Sequence, residues 1–450
     1  MTAIWRFLTK PRGTLRKAAP RRRRGRQRGV ALMAVLIVIA IVLVMTNQFG
    51  TNTNVDLFAA ANSRDQMRAH FLARSAANLS EIVIRLQQRI DGIPQLKGVQ
   101  ITDFADNVLL AFCGGAEEVK SAVGFSAGLV KGLGADIGTC GIVNREITTE
   151  DDKLNVNCFN STPQTAATYK SALDALMFFN AYDPVFEEAD SEGYRRDRGL
   201  QSSAIADYID SDGLRNRDRG TTEDYGYESL KDAYRPKNNY LDSIGELKLV
   251  RGIDDRFWSL FGSAFTTYGP CKINLSALSN VQLIAAVLYL SAKSDKDPVI
   301  QDPKKLFMLA SIVARAKQFG QTFNDVGEFV TFVKDPAAAL GAIAGQGSTM
   351  AGSQATAAVN GSIPGLNGPD KVKLELDAAK LGQLVSTGPR RTYRVQAWGE
   401  IDRKARDADG KPVFPAIRST VTGVWDTRVV PQNARKTPAP KGAWVYLRED

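Results

Sequence analysis

Histidine is nearly missing from this chain: His70 is the single one in 450 residues. That argues against a His-built zinc centre and against a Ser-His-Asp triad. Acid is missing from residues 1–28, which hold eleven Lys/Arg and no Asp or Glu. The other 422 residues carry 47 basic against 48 acidic groups, so the net charge of +10 belongs to a leader. A basic face for nucleic acid is therefore not indicated. None of the four cysteines stands in a Cys-x-x-Cys pair, which disfavours a metal knuckle or a thiol redox motif. No His-Glu-x-x-His or Gly-x-Gly-x-x-Gly pattern occurs either. Nothing here asks for an enzyme.

What is present begins with apolar residues. Val30 to Met45 are all apolar, and no charge occurs from Gly29 to Val55. A helix of that length is roughly 40 Å, enough for a hydrocarbon core of about 30 Å. The apolar run exceeds that of a secretory signal peptide, about 7–15 residues, and no small-x-small cleavage site follows it. Arg21 to Arg28 stand directly before the span. The positive-inside rule then puts the N-terminus in the cytoplasm and everything after about Val55 outside. Cys113, Cys140, Cys158 and Cys271 would lie in that outer compartment, where two disulfides and three connectivities are open.

Helical spacing continues past the span, with Leu79, Ile82, Val83, Leu86 and Ile90 on one face. The pattern predicts one long helix from about Val30 to Ile90, stopped by Asp91-Gly92-Ile93-Pro94. Two short helices are expected within 100–135. A β-hairpin is expected from 142–149 and 154–159 around the acidic turn Glu150-Asp151-Asp152-Lys153. Helical segments follow near 164–180, 200–209, 241–250, 276–292, 304–318 and 322–334. Residues 346–369, rich in Gly, Ser, Ala and Thr, read as a linker, and strands return at 393–401, 419–427 and 443–447. Strands at both ends of a helical block indicate an α+β chain with an all-α insertion.

Arg28-Gly29 followed by Val30-Ala31-Leu32-Met33-Ala34 resembles the leader and helix start of type IV pilin-like proteins. That class carries Glu at the fifth mature position. Ala34 stands there instead, a departure that is itself the pattern of the general secretion pathway protein K family of minor pseudopilins. The run Ile147 to Asn157, with its acidic turn and Lys153-Leu154-Asn155-Val156-Asn157, is similar to that family. So are Ala206-Asp207-Tyr208-Ile209-Asp210-Ser211-Asp212, Tyr234 to Asn239, Leu241 to Leu247, Val250 to Ile253 and Ile273-Asn274-Leu275-Ser276-Ala277.

The resemblance implies a basic leader over 1–29 cut between Gly29 and Val30 by a prepilin peptidase, with methylation of the new N-terminus. It implies a transmembrane helix over 30–52, then a pilin-like helix and first strands over 53–160. An inserted all-α domain of SAM-like, helix-hairpin-helix character would occupy 161–345. A linker over 346–370 and strands completing a pilin-like small antiparallel sheet over 371–450 would follow. The function implied is that of a type II secretion minor pseudopilin at the tip of a periplasmic pseudopilus, anchored in the inner membrane by one helix. Its partners would be other minor pseudopilins, the major pseudopilin and the inner-membrane secretion platform. A minor subunit of a type IV pilus or competence pseudopilus is the alternative.

Two further readings concern ligands. Leu241 to Leu260 has the pattern of a helix-hairpin-helix, which can offer backbone N–H groups to DNA. Its second helix opens on Asp254-Asp255, which repels phosphate, so a DNA receptor is the lesser reading. Asp207, Asp210, Asp212, Glu223 and Asp224 bracket a glycine-bearing loop and could supply oxygens to calcium, which the family resemblance also implies. Arg215, Arg217 and Arg219 in the same loop could instead neutralise them.

Overall fold

The computed structural model describes residues 28–93, 96, 99–113, 138–189, 193, 197–216, 222–223, 225–318, 321–340, 371–403, 409, 414–430 and 441–450. Most of the leader, most of the expected second helix before residue 135 and the whole of the 346–370 linker lie outside them. The chain divides into two units, Met1–Arg64 and Asp65–Asp450.

Helix α1 runs from Arg28 to Asp91, as the apolar run and the i, i+3, i+4 spacing predict. Its residues up to 64 belong to the first unit. There, Val30 to Met45 are all exposed, as lipid-facing residues would be in the absence of lipid. Just past this stretch two hydroxyls bond back within the helix: that of Thr46 donates to Val42 O at 2.7 Å and that of Thr51 to Asn47 O at 2.9 Å.

In the second unit the helix buries Ala69, Ala73, Ala76, Ala77, Val83 and Ile84. They pack on an antiparallel sheet of β1 (Thr139–Ile142), β2 (Thr148–Thr149), β7 (Thr392–Ile401), β8 (Ile417–Asp426) and β9 (Ala443–Glu449). The order is β1-β7-β8-β9, with β2 also paired to β7. The alanines let the helix come close, and Gly399 on β7 completes the fit. A Cβ there would sit 2.3 Å from Ala69 O and 2.4 Å from Ala73 N. No other residue fits where helix backbone crosses strand backbone. On the other side of this core Trp425 meets Trp444 edge-on at 5.2 Å, and Arg85 of α1 lies 5.1 Å from the Trp425 ring centroid.

A second, larger core lies in the helical block. Its centre is α7 (Val281–Ser291), where Leu283 to Leu288 are all buried. Around it stand α3 (Pro163–Met177), α5 (Arg198–Ile209), α6 (Asp255–Phe261), α9 (Pro303–Gln318), α10 (Val326–Lys334) and α11 (Ala378–Leu384). Side-chain caps set where several of these begin: Asp197 accepts from Leu200 N, Asp254 from Phe257 N, and Asn280 from Gln282 N and Leu283 N.

Two expectations need correction. No hairpin joins 142–149 to 154–159. Strand β2 pairs with β7, whereas β3 (Leu154–Asn155) pairs in parallel with β4 (Phe265–Thr266). The acidic turn between them is buried: Glu150, Asp151 and Asp152 are 1%, 2% and 8% exposed. Glu150 accepts from Lys153 Nζ at 3.1 Å and from Arg394 Nε on β7. Asp151 accepts the backbone N–H groups of Arg391 and Thr392 and gives its carbonyl to Asn274 N. Asp152 accepts from the Ser279 hydroxyl at 3.0 Å. The turn thus fastens the sheet to the helical block.

The segment expected as a helix over 241–250 is instead a 3-10 turn over Ile244–Leu249. Its Ser243/Glu246 capping box is present, but the chain turns at Gly252 with φ +87° before α6. The first arm of the expected hairpin is thus a single short turn, not an α-helix.

Candidate functional site

Gly29 and Val30 lie in the first turn of α1, with open space around Gly29. The sequence-expected calcium residues lie at the other end of the chemistry, where α5 ends. Ile205, Ala206, Tyr208 and Ile209 of α5 are buried in the helical core, and this fixes Asp207 on the same helix at 0% exposure. Asp210 is the residue at which the helix stops. The chain then loops out, bridges to itself through Leu214 and Thr222, and returns with Glu223.

Asp207, Asp210 and Glu223 converge: each offers an oxygen, and these oxygens lie within 4.8 Å of one another. Asp212 does not join them. Its side chain is exposed and accepts from Leu214 N at 2.8 Å. Asp224 lies outside the described residues. So do Arg217 and Arg219, while Arg215 stacks 4.4 Å from the Tyr225 ring centroid. Among the described residues no ion pair joins Arg215 to the three acids.

Neutral donors hold the acids in place instead. Asn216 gives its backbone N–H to Asp207 Oδ1 at 3.0 Å and its side-chain amide to Asp207 and, at 2.8 Å, to Asp210. Tyr225 OH donates to Asp207 Oδ2. Asn238 donates to Glu223 Oε2 at 2.7 Å and to the Asp212 carbonyl at 2.8 Å. Asn238 adopts φ +46°, a conformation that asparagine tolerates better than most residues.

Three oxygens are left over. Asp210 Oδ1, Glu223 Oε1 and Asn238 Oδ1 are buried and take no hydrogen bond from an N–H or a neutral hydroxyl; the Asp210 and Glu223 carboxyls can bond only each other, through a proton held by one of them. Burial first, then the neighbouring negative charges, pushes the Asp210 and Glu223 carboxyls upward; burial does the same to Asp207. A carboxylate cluster with these free oxygens and, among the described residues, no cationic neighbour in contact is chemically suited to a hard cation. Asn216, Asn238 and Tyr225 were not singled out as site residues from the sequence, although Asn238 belongs to the Tyr234 to Asn239 motif.

Of the four cysteines, Cys158 and Cys271 form a disulfide with Cα atoms 5.6 Å apart. Cys140 is disulfide-bonded as well. Cys113 ends α2 (Ala105–Cys113), and its side chain lies outside the described residues.

Comparison with known proteins sets a family and a structural likeness beside this geometry. Residues 153–260 match the family model described as type II secretion system (T2SS), protein K. The matched stretch holds β3, α3, α5, the acid cluster and α6. No curated protein matches the chain. Among solved structures, a chain of the GspK-GspI-GspJ complex from the enterotoxigenic Escherichia coli type 2 secretion system is similar over 70% of this chain and 80% of that one. Its identity is 13% and its TM-score 0.38.

Proposed function

Taking residues 153–260 as the first domain of the type II secretion system protein K family, we propose that this chain is a minor pseudopilin that begins and caps a periplasmic pseudopilus. Its role is assembly rather than catalysis. The observation that carries the reading is that family domain behind an exposed apolar helix long enough to span a bilayer. Cleavage after Gly29 removes all eleven leader charges and frees the amine of Val30. The inner membrane then holds α1, with the bulk of the chain in the periplasm.

Ala34 supports the tip position. A carboxylate at this place can pair with the buried amine of a neighbouring subunit, and an unpaired buried charge costs several kcal/mol. A subunit with Ala34 lacks that carboxylate, which a position at the end of the filament tolerates. Partners are then other minor pseudopilins, the major pseudopilin and the secretion platform. Within this reading the helical block, with its 3-10 turn, Gly252 and α6, is a SAM-like insertion that packs rather than binds DNA.

Antibody capture of the chain from detergent-solubilised membranes, with mass spectrometry of the eluate, tests this. The expected result is an N-terminus at Val30, methylated, together with other minor pseudopilins, and gold label at one end of sheared filaments. An intact Met1, or label along whole filaments, would overturn it.

The acid cluster adds calcium to the reading, held by Asp207, Asp210 and Glu223 with Asn238 Oδ1. The chain should then unfold at higher temperature with calcium than with chelator. Binding only the folded state stabilises it by about 2.7 kcal/mol at 100 times the dissociation constant. Asp210→Ala should remove the difference. Equal melting temperatures with calcium and with chelator would refute the site.

A further inference from the structure

A cavity of about 530 Å³ opens where the sheet meets the helical block, well within the range of ligand sites. Gln164 and Thr168 of α3, Lys272, Gln383, Arg391 and Asp151 line it. Cys271 of the Cys158–Cys271 disulfide lines it too.

Its polar groups are unevenly engaged. Asp151, 2% exposed, uses Oδ2 to hold two backbone N–H groups, while its buried Oδ1 has only the Thr392 hydroxyl beside it. Arg391 commits its backbone to Asp151 and Thr427, while its guanidinium makes no hydrogen bond or ion pair among the described residues. Lys272 Nζ spends one donor on Gly382 O at 2.7 Å. Arg428, also at the cavity, is by contrast occupied by Asp426, at 3.0 and 2.6 Å.

The cavity therefore presents two cations with donors to spare, a buried acceptor at its floor and two side-chain amides that can both donate and accept. A ligand matching this set must carry N–H groups, carbonyls and negative charge together. A phosphate ion lacks the N–H and would meet the Asp151 carboxylate. An acidic sugar would want an exposed ring face. Tyr169, the one aromatic in the lining, is 4% exposed, with its hydroxyl already accepting from Asn155 N. We propose that the cavity binds an acidic, extended peptide segment of another protein. Its acidic side chains meet Arg391 and Lys272, and its backbone meets Asp151, Gln164 and Gln383.

The proposal goes beyond the assembly role and is independent of it, because it is read on the purified full chain with no pilus partner present. Fluorescently labelled acetyl-tetraglutamate amide is titrated with the chain in detergent micelles, followed by polarisation. Saturable binding is expected. Arg391→Gln and Lys272→Gln should each weaken it about tenfold, the scale of one charge-assisted hydrogen bond. Thr168→Trp should block it by filling the cavity. Lys334→Gln, an equal charge change in the last turn of α10, should leave it unchanged, and circular dichroism checks that each variant is folded. Four results would overturn the proposal: no saturable binding, equal binding of tetraglutamine, tighter binding of a triglucuronate, or a Lys334→Gln effect as large as that of Arg391→Gln.

Discussion

Replacing Glu150 with alanine is expected to destabilise the chain by about 3 kcal/mol, the low end of the ~3–5 kcal/mol for breaking a buried ion pair. The Glu150 side chain is 0% exposed, and its two cations, Lys153 and Arg394, are 23% and 21% exposed. Their remaining contact with water is why the low end applies. Burial alone would raise the Glu150 carboxyl; the two cations outweigh it and hold it below the usual range. An acid with a depressed folded value contributes stability above its unfolded value, ordinarily 4.5, and loses it as pH falls through the folded one. The gap between parent and Glu150→Ala should thus be full at neutral pH and narrow as pH falls below the unfolded value of 4.5. Asp152 works in the opposite sense. Burial pushes it up to about 6, so the stability it contributes is present below its unfolded value and is lost as pH rises through about 6. Urea unfolding followed by the fluorescence of Trp398, Trp425 and Trp444 in the sheet reads both. A Glu150→Ala midpoint equal to the parent's at pH 7 would mean that the turn is not the fastening described.

That turn also marks the limit of sequence reading. Its four charged residues have the pattern of a solvated hairpin turn, because the features that bury them are remote. Arg394 lies 244 residues on, and the strand that takes Leu154 begins at Phe265. Local pattern cannot supply a partner at that separation. Where the signal is local the elements came through. Tyr393 to Ile401 alternates buried with more exposed residues as its sequence alternates, and Ser419 to Gly423 of β8 does the same, whereas Gly423 to Asp426 are all buried and β9 has no buried residue. The i, i+3, i+4 face of α1 placed Val83 in the core, while Ile82 and Leu86, assigned to the same face, are exposed. In the acid cluster the carboxylates were legible and their holders were not. Asn216 and Asn238 belong to segments whose register depends on the fold of the loop, and Asp212, two residues past Asp210, turns outward to accept from Leu214 N.

The second large effect is expected at Cys158–Cys271. The sequence left three connectivities open; the fold brings together two cysteines 113 residues apart. A cross-link over so long a loop removes more freedom from the unfolded chain than a short one, about 4.7 kcal/mol for a 100-residue loop on the chain-entropy account. Measured losses on removing native disulfides run at about 2–5 kcal/mol, and the Cys158→Ala/Cys271→Ala pair should fall within that span. Cys158 sits at 2% exposure in the helical core, so part of the cost comes from lost packing as well. Cys158→Ser with Cys271→Ser isolates the covalent part, since it keeps side-chain volume close to the thiols. The closed segment contains α3, α5, α6 and the acid cluster. Both pairs should therefore be cut faster by protease within residues 159–270 than elsewhere. Unfolding midpoints of the parent with and without reductant, compared with the two pairs, decide it. If reduction leaves the parent's midpoint within about 0.5 kcal/mol of its oxidised value, the bond does not hold this segment and the packing of α7 alone keeps it in place.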